Sequence, residues 1–122
     1  MSLGEGQLML PRLLELASDA CEPLHDRVRR AYVGCVAVRA SDGVVVRSRN
    51  GSAKKPTASC HAEARAMRKA GYGSDVYVAR QLKNGQLAMA KPCSRCMAVL
   101  RSKGVRLVVY TTGSSTYEIV RL

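Results

Sequence analysis

The 122-residue sequence contains no tryptophan and no phenylalanine. Any ring that stacks on a ligand must therefore come from its five tyrosines or two histidines, and tyrosines more often serve the core or the surface. Acidic residues are also scarce. Nine Asp and Glu against twenty Lys and Arg give a formal charge of +11, which points to anionic partners without identifying them. No stretch of eighteen apolar residues occurs, and no basic segment followed by an apolar one opens the chain. Neither a transmembrane helix nor a signal peptide is expected, nor a membrane partner, and the expected location is the cytoplasm. Five cysteines make an odd number in a chain without an export signal. That speaks against a disulfide framework and for metal or redox chemistry in a reducing compartment. With 47% hydrophobic and 24% charged residues, wholesale disorder is excluded.

The charge is unevenly placed. Residues 1–26 carry five acids and one base, whereas residues 27–122 carry nineteen bases and four acids. No acid lies between Asp75 and Glu118, while Arg80, Lys83, Lys91, Arg95, Arg101, Lys103 and Arg106 do. Such a run either solvates the surface or forms a field that attracts phosphate. There is no internal repeat and no linker long enough to mark a boundary. A loose, disordered tail is expected over 1–7 and one domain over 8–122.

Apolar spacing predicts a helix from Leu8 to Cys21 through Leu10, Leu13, Leu14 and Ala17. Two β-branched runs, Val33 to Arg39 and Val44 to Arg47, flank Asp42-Gly43, a strong hairpin signal. Residues 50–59 read as a loop. A helix follows from about His61 to Ala70, ended by Gly71. Val76 to Ala79 reads as a buried strand, with a turn at Lys83-Asn84-Gly85. Pro92 opens a helix from Cys93 to about Lys103, and Gly104 ends it. Arg106 to Thr111 and Tyr117 to Arg121 are the last strands. This order predicts an α/β domain in three layers, a five-stranded mixed sheet flanked by helices. Only Thr112 to Thr116 separate the last two strands. A parallel crossover needs a dozen residues or more, so these strands should be antiparallel.

Two segments carry chemistry. Cys60-His61-Ala62-Glu63 stands where a loop meets a helix, and Pro92-Cys93-Ser94-Arg95-Cys96 opens the next. Cys93 and Cys96 fall one helical turn apart on one face, the first at a helix N-terminus that favours a thiolate. With His61 they make a soft three-donor set suited to Zn²⁺. A closed structural site would need a fourth ligand, and His25 lacks finger-like spacing. Three donors leave one position for water, the arrangement of a catalytic site. Glu63 can then stand beside that water. A redox pair at Cys93 and Cys96 and a core role for His61 are the blander readings.

The pairing H-x-E followed by P-C-x-x-C is an established signature of zinc-dependent deaminases, matched here rather than derived. Over about residues 8–122 the sequence resembles the cytidine deaminase-like superfamily, whose members act on cytidine, deoxycytidylate, tRNA adenosine or polynucleotide cytosine. The H-x-E register makes His61 rather than Cys60 the ligand, and leaves Cys60, like Cys21 and Cys35, as core. The resemblance implies Zn²⁺ held by His61, Cys93 and Cys96. It also implies that Glu63 carries a proton from the zinc-bound water to the pyrimidine ring, then to the departing amine. Further implied contacts are Asn50 to a ribose hydroxyl and the Ala62 amide to the pyrimidine carbonyl. The carbonyl before Pro92, that of Lys91, faces the leaving amine. A long cation at Lys91 departs from the family pattern.

The short last connection resembles the free-nucleoside branch of the superfamily, so the leading expectation is a small-molecule deaminase of nucleotide metabolism. Its substrate is a cytosine nucleoside or nucleotide, its products the uracil form and ammonia. The His ligand and the charge fit the nucleic-acid side and keep open a deaminase of RNA or single-stranded DNA, cytosine or adenine. A zinc-stabilised nucleic-acid-binding domain without activity is the third reading, and the intact Glu63 speaks against it. By family analogy a homo-oligomer is expected, since so small a domain has only loops to cover its pocket.

Overall fold

The computed structural model describes residues 12–20, 31–49, 62–82, 84–113 and 115–122. Its elements are α1 (Arg12–Ala20), β1 (Ala31–Val38), β2 (Val45–Arg49), α2 (Ala62–Ala70), β3 (Asp75–Leu82), β4 (Leu87–Ala88), α3 (Ser94–Ser102), β5 (Leu107–Thr111) and β6 (Tyr117–Arg121). The strands form one sheet in the order β2-β1-β3-β5-β6, with β4 paired to β3. The five-stranded path matches the expectation; β4, too short to show a period, adds a sixth strand.

β1 lies inside the sheet, antiparallel to both neighbours. Its sequence, AYVGCVAV, lacks polar alternation because both of its faces are covered. On one face Leu14 and Ala17 of α1 pack against Val36, Ala79 and Val109. On the other, Ala62, Ala66, Met67 and Ala70 of α2 and Met97 and Leu100 of α3 cover Cys35, Ala37, Val76, Val78, Val108 and Tyr110. Each fully buried Val or Leu contributes about 1.5–3 kcal/mol. The alanines on α2 let that helix sit close to the strands.

Among the described strands only β3 and β5 run parallel, and α3 lies in the connection between them. β5 and β6 are antiparallel, from Leu107↔Arg121 to Thr111↔Tyr117, as the short connection requires. Its turn closes with Thr112 N–H donating to the Thr116 carbonyl at 3.0 Å. The Asp42-Gly43 turn is also present. Gly43 adopts φ +73°, and the Val44 amide donates to Asp42 Oδ1 at 3.0 Å. That turn uses Val44, so β2 starts one residue later than expected.

Gly104, after α3, suits glycine through its φ of +69°; the exposed Tyr72 ring lies over it, and a Cβ there would have to push that ring aside.

Tyr110, 2% exposed, donates its hydroxyl proton to Glu118 Oε2 at 2.5 Å. That hydrogen bond, then burial and the Glu118 charge, push its phenol from 10.0 up to about 12. A raised folded-state pKa means the neutral form is preferred in the fold. The stabilisation is fully present below about pH 10 and is lost as pH rises through about 12. Tyr110→Phe should therefore be less stable than the parent at pH 7–9, with the gap closing toward pH 12 in denaturant titrations. A constant gap across that range would refute the assignment.

Candidate active site

The N-termini of α2 and α3 open at the carboxyl ends of the parallel strands β3 and β5, where open α/β sheets place their ligands. Cys93 is the N-cap of α3, with extended dihedrals of φ −66° and ψ 168°. Its carbonyl accepts from the Met97 amide at 2.8 Å, and its Sγ accepts from the Cys96 amide at 3.5 Å. An orphan amide of the first turn thus points at sulfur, as expected of a thiolate site. Cys93 is exposed, while Cys96, one turn on, is fully buried.

Glu63, on the first turn of α2, is 5% exposed and hydrogen-bonded with Cys96. Burial, first, then the Glu63 charge and Cys93 raise the Cys96 thiol far above its ordinary value. The third member was read from sequence as plain core. Cys35, on the inward face of β1, is fully buried, and its thiol too is raised, by burial first, then by Glu63 and by Cys96. Glu63, Cys35 and Cys96 thus form one cluster, with Cys93 at its solvent edge.

Cross-strand register sets the place of Cys35 in the sheet. Ser48 of β2 stands opposite Cys35, Cys35 opposite Val78, Val78 opposite Tyr110, and Tyr110 opposite Glu118. Side chains in such a row share a face. Ser48 uses its place in the row to donate a hydrogen bond from Oγ to the Ala62 carbonyl at 2.5 Å. It anchors the start of α2 and with it the carbonyl-binding amide expected at Ala62 and the carboxylate of Glu63. Sequence reasoning missed Ser48; the signal was a small polar residue at an inward position of β2.

Lys91 is exposed and Pro92 buried, so the cation points away from the core while the proline fixes the entry into α3. Arg95 is exposed on the first turn. His61, Asn50, Cys60, Cys21, His25 and the expected 1–7 tail lie outside the described residues, as do Lys54 and Lys55 of the expected loop. Among the described residues no group of three His, Cys, Asp or Glu side chains is arranged to hold a metal. Two of the three expected donors, Cys93 and Cys96, are among the described residues; the third expected donor, His61, is not.

The donor set fits a dication. Burial first, then the neighbouring Glu63 charge, disfavour a thiolate at Cys96 when no cation is beside it. A soft divalent metal removes that conflict and takes thiolates as ligands.

Comparison with known proteins settles the family. Residues 10–112 match the family described as the cytidine and deoxycytidylate deaminase zinc-binding region. The chain belongs to that family. Among solved structures, this cytidine and deoxycytidylate deaminase fold resembles cytidine deaminase from Mycobacterium leprae with a TM-score of 0.54. Identity is 21%, over 88% of this chain and 89% of that one. It also resembles a mutant cytidine deaminase from Mycobacterium tuberculosis, with a TM-score of 0.51 and 24% identity over 84% and 87% of the two chains. At such identities the likeness bears on the fold. No curated protein sequence matches the chain. No described helix is long and apolar enough to cross a membrane.

Proposed function

We propose that the protein is a zinc-dependent hydrolytic deaminase that converts a cytosine nucleoside or nucleotide to the uracil form and releases ammonia. The observation that carries this reading is Glu63, a carboxylate buried at a helix start and hydrogen-bonded with a cysteine of the Cys-x-x-Cys pair. A buried carboxylate among thiols is costly to the fold. Proton transfer gives it a use.

Cys93, Cys96 and His61 would hold the zinc, which supplies a bound water that ionises near neutrality. Glu63 accepts the proton of that water and delivers it to the ring nitrogen beside the amino-bearing carbon. Oxygen then bonds to that carbon; Glu63, free again, takes the remaining hydroxyl proton and passes it to the amine as the C–O double bond forms and the C–N bond breaks. Water is consumed, and ammonia and the oxo base are formed. The Ala62 amide holds the pyrimidine carbonyl, the Lys91 carbonyl faces the leaving amine, and Asn50 binds a ribose hydroxyl. A homo-oligomer would complete the pocket walls. Thiolate ligands suit a reducing compartment such as the cytoplasm.

The antiparallel β5–β6 hairpin supports a small-molecule substrate. The surface charge supports a second reading, a deaminase of RNA or single-stranded DNA. Among the described side chains Glu15, Asp42 and Asp75 pair with arginines and Glu118 bonds Tyr110, while Arg68, Lys91, Arg95, Arg101 and Lys103 are exposed. Zinc analysis and ammonia release separate the readings. The panel is cytidine, deoxycytidine, their monophosphates, and short single strands carrying cytosine or adenine. About one zinc per chain is expected, with ammonia from a cytosine nucleoside or nucleotide. Ammonia from the single strands alone would favour the second reading. Zinc without ammonia from any substrate would leave a non-catalytic domain.

A further inference from the structure

We infer that Thr111 is a positioning residue that suspends the segment leading into Cys93 from the end of β5. This rests on the reading of Cys93 as a zinc ligand.

The approach to Pro92 has little of its own to hold it. β4 is two residues long and pairs only with β3, through Arg80↔Ala88 and Gln81↔Leu87. Beyond it Met89 is 49% exposed, and between β4 and Pro92 only the small Ala90 side chain reaches the core. Thr111 supplies what is missing. It is fully buried, and its Oγ1 donates to the Ala88 carbonyl at 2.7 Å. The same oxygen accepts from the Arg80 amide at 3.3 Å, and the Thr111 carbonyl accepts from the Ala90 amide at 2.8 Å. One residue therefore grips the chain on both sides of Met89 and ties it to β3 and β5 together. Cys93 follows Ala90 by three residues, with the rigid Pro92 between them, so a shift at Ala88–Ala90 is passed on to the sulfur.

The hydroxyl matters more than the shape. Thr111→Val keeps the volume but leaves the half-buried Ala88 carbonyl and Arg80 amide without this partner, the unfavourable half of hydrogen-bond energetics. Groups that orient metal ligands from behind typically change metal affinity by about 10–100-fold when removed.

The test uses the full chain and three variants: Thr111→Val, Thr111→Ser and Val109→Ala. Val109 is 2% exposed, two residues back on the same face of β5, and its truncation reports plain destabilisation. Zinc retention is read as transfer to a chromophoric chelator, with melting temperature and amide exchange at Ala90 alongside. T111V should release zinc about 10–100-fold more readily and lose protection at the Ala90 amide. T111S, which restores the hydroxyl, should stay within about threefold of the parent in both. V109A should melt earlier yet keep its zinc.

T111V holding zinc as the parent does would overturn the inference, as would T111S failing like T111V, or V109A losing zinc equally. If T111V does not fold, the comparison of T111S with the parent still decides. A parent protein that takes up no zinc would sink the functional reading instead. Amide exchange at Ala90 would then still test the clamp.

Discussion

Replacing Glu63 with glutamine should leave a folded, zinc-loaded protein whose kcat has fallen by about 10²–10⁴-fold, the usual worth of a positioned general acid–base group. Glutamine fills the same buried space and still offers Cys96 a hydrogen-bonding partner. What it cannot do is accept and return a proton. The substitution also removes one of the charges that raise Cys96, so the metal should stay near one per chain. Steady-state ammonia release and metal analysis on the same preparation check both halves. Residual turnover within about tenfold of the parent would remove Glu63 from the chemistry. Loss of zinc in E63Q would make it a structural partner of the cysteines rather than a proton carrier.

The other large effect concerns the ligands. Cys93→Ala, Cys96→Ala and His61→Ala should each strip the zinc and abolish activity, whereas Cys60→Ala should retain both. The two cysteines should differ in what else they cost. Cys93 is exposed, so its alanine variant loses little packing beyond the metal. Cys96 is fully buried against the Glu63 and Cys35 cluster, so C96A also leaves a void and should melt earlier than C93A. Metal content by mass spectrometry and calorimetric melting distinguish these outcomes. Zinc retained in His61→Ala but lost in Cys60→Ala would shift the ligand register by one residue.

Much of this site was legible because its chemistry is local. The spacing of Cys93 and Cys96 needs only one helical turn, and Pro92 announces where that turn begins. The antiparallel ending followed from counting the residues between β5 and β6. What could not be read was whatever depends on register between distant strands. Cys35 reads as an ordinary apolar position in an ordinary strand, and only its pairing through Val78 and the descent of α2 bring it to Glu63. Ser48 and Thr111 are small polar residues whose importance lies in the carbonyls that other segments present to them. β3 runs on to Leu82, past the expected end at Ala79. In that extension the polar Arg80 and Gln81 pair with β4, a two-residue strand without a periodic signature of its own.

β1, hydrogen-bonded along both edges, also bears on how the molecule comes into being. Its partners in β3 are about forty residues further along the chain, and pairings of that span pay loop-closure entropy before they return any contact. Cys35 sits on β1, Glu63 on the helix between the two strands, and Cys96 beyond the second. Until that long-range pairing closes, Cys35, Glu63 and Cys96 are separate pieces of an open chain with no common pocket. A chain that must close such a span before its site exists is expected to assemble the sheet before the site.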